Sequence, residues 1–432
     1  MVEGASRADG KRWPFSGENV SILVIARSVS DEATQGPARR PLGCFAPLAM
    51  TNHESPRKGR LPDRPSKLVA IQLLRGAAAI AVALIHLEPE IRARAGLVPG
   101  TRPFPFEAGV DVFFVISGFV MVYASGNLFA RAGAARTFLA RRLARIAPLY
   151  WLTTTVVLAL LAIRPDLLGT TVATPGLVIA SYLFIPIARP DGLVQPVYSL
   201  GWTLNYEMFF YVLFGLAIGW PRRRAVATVC VLIAALIGAG LAFAPLPQPF
   251  GFWTDTIMVE FALGMGIGLL RQEGRVLPAG ARIGLAAVGL ALFWAIGGDA
   301  VTRTGLNQAL LFGLPSACLV AACGLAPGHR AGEPEPWLVR GAEAVGDASY
   351  AIYLLHPFAI RGTARLIDAS GLAGALGATG FAAAALAATL LVALASYRIV
   401  ERPLTRLARR ALEPTHPPSF RGLEAEPGIH KR

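Results

Sequence analysis

The sequence predicts an all-α fold, a polytopic membrane helix bundle with about ten transmembrane helices. Three observations carry that expectation. Apolar residues make up 54% of the 432-residue chain and charged residues only 16%, a balance outside the range of soluble domains. Apolar runs recur from about Leu68 to Tyr397, most of them near the roughly 20 residues a helix needs to cross a bilayer core. The arginines fall between those runs, as expected where basic residues set orientation by collecting on the inner side.

Residues 1–67 carry Lys, Arg, Pro and Gly without a sustained period. They read as a disordered basic cytoplasmic extension, or as residues ahead of the native start. Residues 68–397 form the transmembrane domain, with spans expected at 68–87, 107–125, 146–163, 199–219, 225–244, 253–270, 282–298, 306–326, 346–362 and 373–397. The stretch from Val172 to Ile187 is also apolar, but an eleventh span there would put Arg222, Arg223 and Arg224 outside. It is therefore expected to be a re-entrant or extracytoplasmic element. With ten spans both termini are inside, together with Arg131, Arg136, Arg141, Arg142 and Arg145. The tail, 398–432, is basic and opens with an amphipathic stretch (Arg402, Arg406, Arg409, Arg410) suited to an anionic membrane surface.

The formal net charge of +14 would suggest nucleic acid in a soluble protein. Here topology accounts for it, so membrane lipid is the expected partner and nucleic acid is not. Cys44, Cys230, Cys318 and Cys323 form no C-x-x-C pair, so neither a disulfide framework nor a metal site is expected.

An ionisable side chain at the centre of a span costs about 2.5 to 3.5 kcal/mol on insertion scales, so each one asks for a reason. Arg75 and His86 lie eleven residues apart on the first span. That is three turns, hence one face, and a rise of roughly 16 Å. His86 reads either as an interfacial histidine or as a general base, and Arg75 either snorkels to the inner surface or faces a shaft. On the second span Glu107 and Asp111 share a face at the depth of His86, followed by Ser117 and Gly118. A carboxylate there can orient an imidazole or merely sit at the water boundary.

On the fourth span Glu207 and Tyr211 are one turn apart; the glutamate either serves chemistry or pairs with an arginine such as Arg75. The ninth span carries Ser349, Tyr353 and His356 in one stripe, with Pro357 following, a pattern that also fits interhelical hydrogen bonding. Arg141 and Arg145, one turn apart beside Arg142, suit phosphates or serve as a topogenic cluster. Gly264, Gly266 and Gly268 read as helix packing rather than a phosphate loop. The chain has no G-x-S-x-G elbow.

These pieces together resemble the acyltransferase-3 family of polytopic membrane O-acyltransferases. The run from Leu68 to His86, with Arg75-Gly76 a span ahead of the histidine, is similar to the family opening. Gly109-Val-Asp-Val-Phe-Phe-Val-Ile-Ser-Gly-Phe119 is similar to its second-span signature and Arg141-x-x-x-Arg145 to its arginine motif. Ser349-Tyr-Ala-Ile-Tyr-Leu-Leu-His-Pro357 and Glu401-Arg-Pro403 resemble its C-terminal signatures. Ile71-Gln72 departs from the Leu-Asp of many members. Gly201-Trp-Thr-Leu-Asn-Tyr-Glu-Met-Phe-Phe-Tyr211 is most similar to the branch that acetylates exopolysaccharide precursors.

The resemblance implies transfer of an acetyl or short acyl group from acyl-CoA, a donor substrate rather than a bound cofactor. The acceptor would be a carbohydrate or lipid-linked oligosaccharide, and the location a bacterial inner membrane. It makes His86 the base, with Asp111 or Glu207 orienting it. Arg75, Arg141 and Arg145 would hold the donor, and Ser117, Tyr211, Tyr353 and His356 would line the substrate path. The rival from another class is a transporter or flippase for a lipid-linked saccharide, whose path would also carry buried charge; an inverted repeat of broken helices, its usual mark, is absent from the sequence.

Overall fold

A computed structural model describes residues 68–97, 104–168, 171–297, 307–328 and 336–413. The N-terminal extension and the end of the tail lie outside them. Helices follow one another throughout: α1 (Val69–Ala95), α2 (Gly109–Ala124), α3 (Ala134–Ile163), α4 (Pro175–Tyr182), α5 (Trp202–Ala217), α6 (Arg222–Phe243), α7 (Phe250–Trp253), α8 (Val259–Gln272), α9 (Ala279–Ile296), α10 (Leu314–Gly324), α11 (Trp337–Asp347), α12 (Ser349–Ala369), α13 (Ala373–Ser396) and α14 (Arg402–Leu412). Among the described residues the only extended pairing is an isolated antiparallel bridge between Ala188 and Val194.

Where it is described, every expected span coincides with helix, but among the described residues six helical runs are long and apolar enough to cross a membrane by themselves: 69–95, 106–124, 134–163, 222–243, 279–296 and 373–412. The count of ten is not reached on length and apolarity. The shortfall has a physical reason. Helix α5 has 16 residues and α8 has 14, each extended only by a preceding 3-10 turn. Helix α10 follows a π-helical turn (Gln308–Gly313), and α12 carries Arg361, Arg365 and Asp368. These helices also hold buried polar residues, including Asn205, Glu260, Ser349 and His356. Polar side chains are tolerated in a bundle where they face protein or a cavity rather than lipid.

Residues 172–198 fold back on themselves. Helix α4 has eight residues, about 12 Å at 1.5 Å per residue, too short to cross a bilayer. Thr174 caps it by accepting from the Leu177 amide at 3.3 Å, with Pro175 in the first turn. Ser181 Oγ then accepts from the returning Val197 amide at 2.9 Å.

A close helix crossing joins α2 to α8. A Cβ added to Gly118 would lie 2.1 Å from the Phe261 carbonyl oxygen, and one added to Gly264 would lie 2.0 Å from that of Val115. Only glycine allows this approach, so Gly264 and Gly268 of α8 serve packing, while Gly266 between them faces open space. At the C-terminal end α13 passes through a π-helical turn (Tyr397–Glu401) directly into α14. The expected tail boundary at 398 therefore falls inside a continuous helical run. Helix α14 packs along α3, and Arg141 Nε meets Glu413 Oε1 at 3.3 Å.

Candidate active site

A cavity of about 330 Å³ opens between α1, α2, α3, α5, α12 and α14. Its charged lining begins with Arg75, Arg142, Arg145 and Arg409. Arg75 is placed by the glycine beside it. Helix α11 crosses α1 so closely that a Cβ on Gly346 would lie 2.1 Å from the Gln72 carbonyl oxygen, and one on Gly76 would lie 3.3 Å from the Gly346 nitrogen. That crossing brings Asp347 within electrostatic reach of Arg75. Arg75 Nη1 donates to Gln72 Oε1 at 3.1 Å. Gln72 thus orients the guanidinium without neutralising it.

On α3 the structure separates the three neighbouring arginines. Arg142 and Arg145 line the cavity, and Arg142 lies over the ring of Phe138, 5.6 Å from its centroid. Arg141, expected to bind the donor with Arg145, is not in the lining and pairs instead with Glu413. One residue is 100° of helix, enough to turn a side chain from the cavity to its rim. Arg142 and Arg409 are the residues the expected set lacked. The signal for Arg142 was present: at i, i+4, i+7 and i+11 it shares a stripe with Phe138, Arg145 and Leu149, the two apolar members of which are buried.

In the same lining, Glu207 Oε1 accepts from Ser117 Oγ at 3.0 Å and from the Tyr211 hydroxyl. Glu207 lies within electrostatic reach of Arg75 and Arg142. It therefore stands among the arginines rather than beside His86. Glu401, 3% exposed, adds a second carboxylate within reach of Arg145 and Arg75. Tyr353 closes the far side, its hydroxyl donating to the Leu200 carbonyl at 2.9 Å and lying 2.8 Å from Thr203 Oγ1.

Beyond Tyr353 the stripe on α12 continues to His356, their rings 6.3 Å apart, and His356 packs on His86 with ring centroids 4.7 Å apart. Neither histidine is in the cavity lining; Tyr353 is the bridge between them and it. His86 Nδ1 lies 2.8 Å from the Val82 carbonyl oxygen. A carbonyl only accepts, so Nδ1 carries a proton directed at it. His356, fully buried, is held the same way by the Ile352 carbonyl at 3.1 Å, and its Nε2 has no hydrogen-bond partner among the described residues. Asp111 is fully buried and accepts from Gln308 Nε2, which also donates to Glu260 at 2.9 Å. Among the described residues no group of side chains suits a metal ion.

The arrangement offers cationic forks in a cavity and, beyond Tyr353, an imidazole oriented by a backbone carbonyl, the parts needed to hold an anionic donor and deprotonate a hydroxyl. The family model described as "Acyltransferase domain" matches residues 68–398. The chain belongs to the acyltransferase-3 family. This acyltransferase is 39% identical over 307 residues to the exopolysaccharide production protein ExoZ of Rhizobium meliloti (strain 1021), covering 70% of this chain and 90% of that protein. It is 28% identical over 389 residues to the acyltransferase MdmB of Streptomyces mycarofaciens, covering 81% and 95%. No solved structure matches. The protein is thus a multi-pass membrane enzyme that transfers acyl groups.

Proposed function

We propose that the enzyme moves an acetyl or other short acyl group from acyl-CoA to a hydroxyl of a cell-envelope or exported polysaccharide, or of its lipid-linked precursor. It works in the bacterial inner membrane with both termini cytoplasmic. The observation that carries this reading is the charge of the cavity: four arginines share it with one lining carboxylate, Glu207. Glu401 and Asp347 also lie within electrostatic reach of Arg75, but neither lines the cavity, so the lining itself stays cationic and attracts an anion; the diphosphate of CoA fits it through bidentate guanidinium contacts. The acceptor class is supported by the similarity to a protein named for exopolysaccharide production.

In this mechanism Arg75, Arg142, Arg145 and Arg409 hold the donor and its pantetheine arm runs past Ser117 and Tyr353 toward α1. The acceptor hydroxyl gives its proton to His86 Nε2 while its oxygen attacks the thioester carbonyl. The C–S bond then breaks, the acyl group stays on the sugar oxygen, and His86 returns the proton to the departing CoA thiolate. The Val82 carbonyl holds the reacting tautomer and needs no neighbouring carboxylate to do so. Fixing the thioester and the acceptor hydroxyl in register supplies much of the rate.

The test incubates membranes with acyl-labelled acetyl-CoA and lipid-linked oligosaccharides, comparing wild type with His86→Ala and Arg145→Ala. Label is expected in the saccharide only with wild type. Undiminished transfer by both variants would overturn the site assignment.

A further inference from the structure

The family match ends at residue 398, yet α14, beyond it, contributes Arg409 to the cavity. At spacings of four, seven and eight residues, Arg402, Arg406, Arg409 and Arg410 share one face of α14. All four are solvent-exposed. The opposite face holds Leu404, Leu407 and Ala411, with Leu407 58% exposed. Because Arg409 faces the cavity, the basic stripe turns toward its mouth and the apolar stripe turns away. Glu413, on the basic face one turn beyond Arg409, pairs with Arg141 of α3 and pins the helix in that orientation.

The cavity of about 330 Å³ is at the small end of the roughly 300–1,000 Å³ typical of ligand pockets. A whole acyl-CoA exceeds it. If the acyl-pantetheine arm and diphosphate fill the interior, the adenosine and its 3′-phosphate remain outside, at the rim that α14 forms. We infer that the basic face of α14, with Arg406 and Arg410 flanking Arg409, binds the 3′-phosphorylated nucleotide end of the donor, an inference that rests on the acyl-CoA reading above. The helix is then a substrate-binding element outside the matched domain and makes the enzyme selective for CoA over shorter thioesters. Charge-assisted guanidinium–phosphate contacts in fork geometry supply that selectivity.

The experiment uses the full chain in phosphatidylcholine vesicles and, separately, in vesicles containing phosphatidylglycerol. It measures KM for acetyl-CoA and for 3′-dephospho-acetyl-CoA, with wild type, the Arg406→Ala/Arg410→Ala double variant and the matching double Lys variant. Wild type is expected to prefer acetyl-CoA by roughly tenfold in KM. The Ala variant should raise KM for acetyl-CoA by about that factor, leave the dephospho donor within about twofold, and so erase the preference; the Lys variant should restore part of it.

Absence of a donor preference in wild type overturns the inference even if the variants fail to fold. So does a KM rise that is equal for both donors. An effect confined to phosphatidylglycerol vesicles would assign the stripe to lipid headgroups and overturn it too. Failure of wild type to transfer acetyl from either thioester, while transferring it from another donor, would instead remove the acyl-CoA reading itself.

Discussion

The two ends of α1 carry the two halves of the chemistry and are built on opposite principles. At Arg75 the helix opens onto a cavity, and four guanidinium groups line it with one carboxylate. At His86 the helix is packed, ring against ring, with a fully buried second imidazole. A group that grips phosphates needs space and unspent charge. A group that moves a proton needs a fixed tautomer and little water. The outer end meets that need with a backbone carbonyl, and the polar neck at Tyr353 keeps the two environments apart.

The sharpest way to break this comparison is to remove the base. His86→Ala should lower kcat by about 10² to 10⁴-fold, the range assigned to general base catalysis, while leaving acyl-CoA binding within about twofold. Titration of detergent-solubilised protein with acyl-CoA, read beside the transfer rate, checks both halves. Loss of donor binding in that variant would mean the two ends are one site.

The inner end is next. Arg142→Ala and Arg145→Ala should each weaken donor binding roughly 10- to 100-fold, as expected for a lost charge-assisted contact. Arg141→Ala should change it by less than about threefold, since an exposed ion pair such as that with Glu413 contributes about 0–1 kcal/mol. The same titration ranks the three. A ranking with Arg141 at the top would contradict the side-chain placement on α3.

That ranking also shows what could be read before the structure. Of the residues singled out in the sequence, Arg75, Arg145, Ser117, Glu207, Tyr211 and Tyr353 line one cavity, while His86, His356, Asp111 and Arg141 do not. Face spacing did not choose between Arg141 and Arg142, since both share a face with Arg145 and only the direction of burial separates them. Arg409 was not legible as a cavity residue at all. Its place depends on the π-helical turn at Tyr397–Glu401, which carries α13 into α14 and α14 along α3. Glu207 was read as either catalytic or an arginine partner, and its neighbours favour the second. Length and apolarity alone find six spans among the described residues, because several of the other helices are short or carry polar side chains into the interior.

A smaller effect tests the crossing that aims Arg75. Gly346→Ala puts a methyl group where the Gln72 carbonyl oxygen stands, so α11 must move off α1. Overpacking of this kind costs typically about 1–3 kcal/mol. Lower thermal stability in detergent is expected, with a rise in donor KM because Arg75 loses its alignment. A drop in stability with KM unchanged would show that Arg75 is positioned by Gln72 alone.

The smallest expected effect concerns Asp111, and it sharpens the outer end. Asp111→Asn keeps an oxygen to accept from Gln308 and loses charge assistance there, a change of about 1 kcal/mol in that bond. If the Val82 carbonyl alone sets the His86 tautomer, kcat should fall by no more than about fivefold and the main consequence should be lower stability of the α2–α8 pair. A loss approaching that of His86→Ala would instead make the carboxylate of α2 the orienting group for the base, and the outer end would then depend on charge as the inner end does.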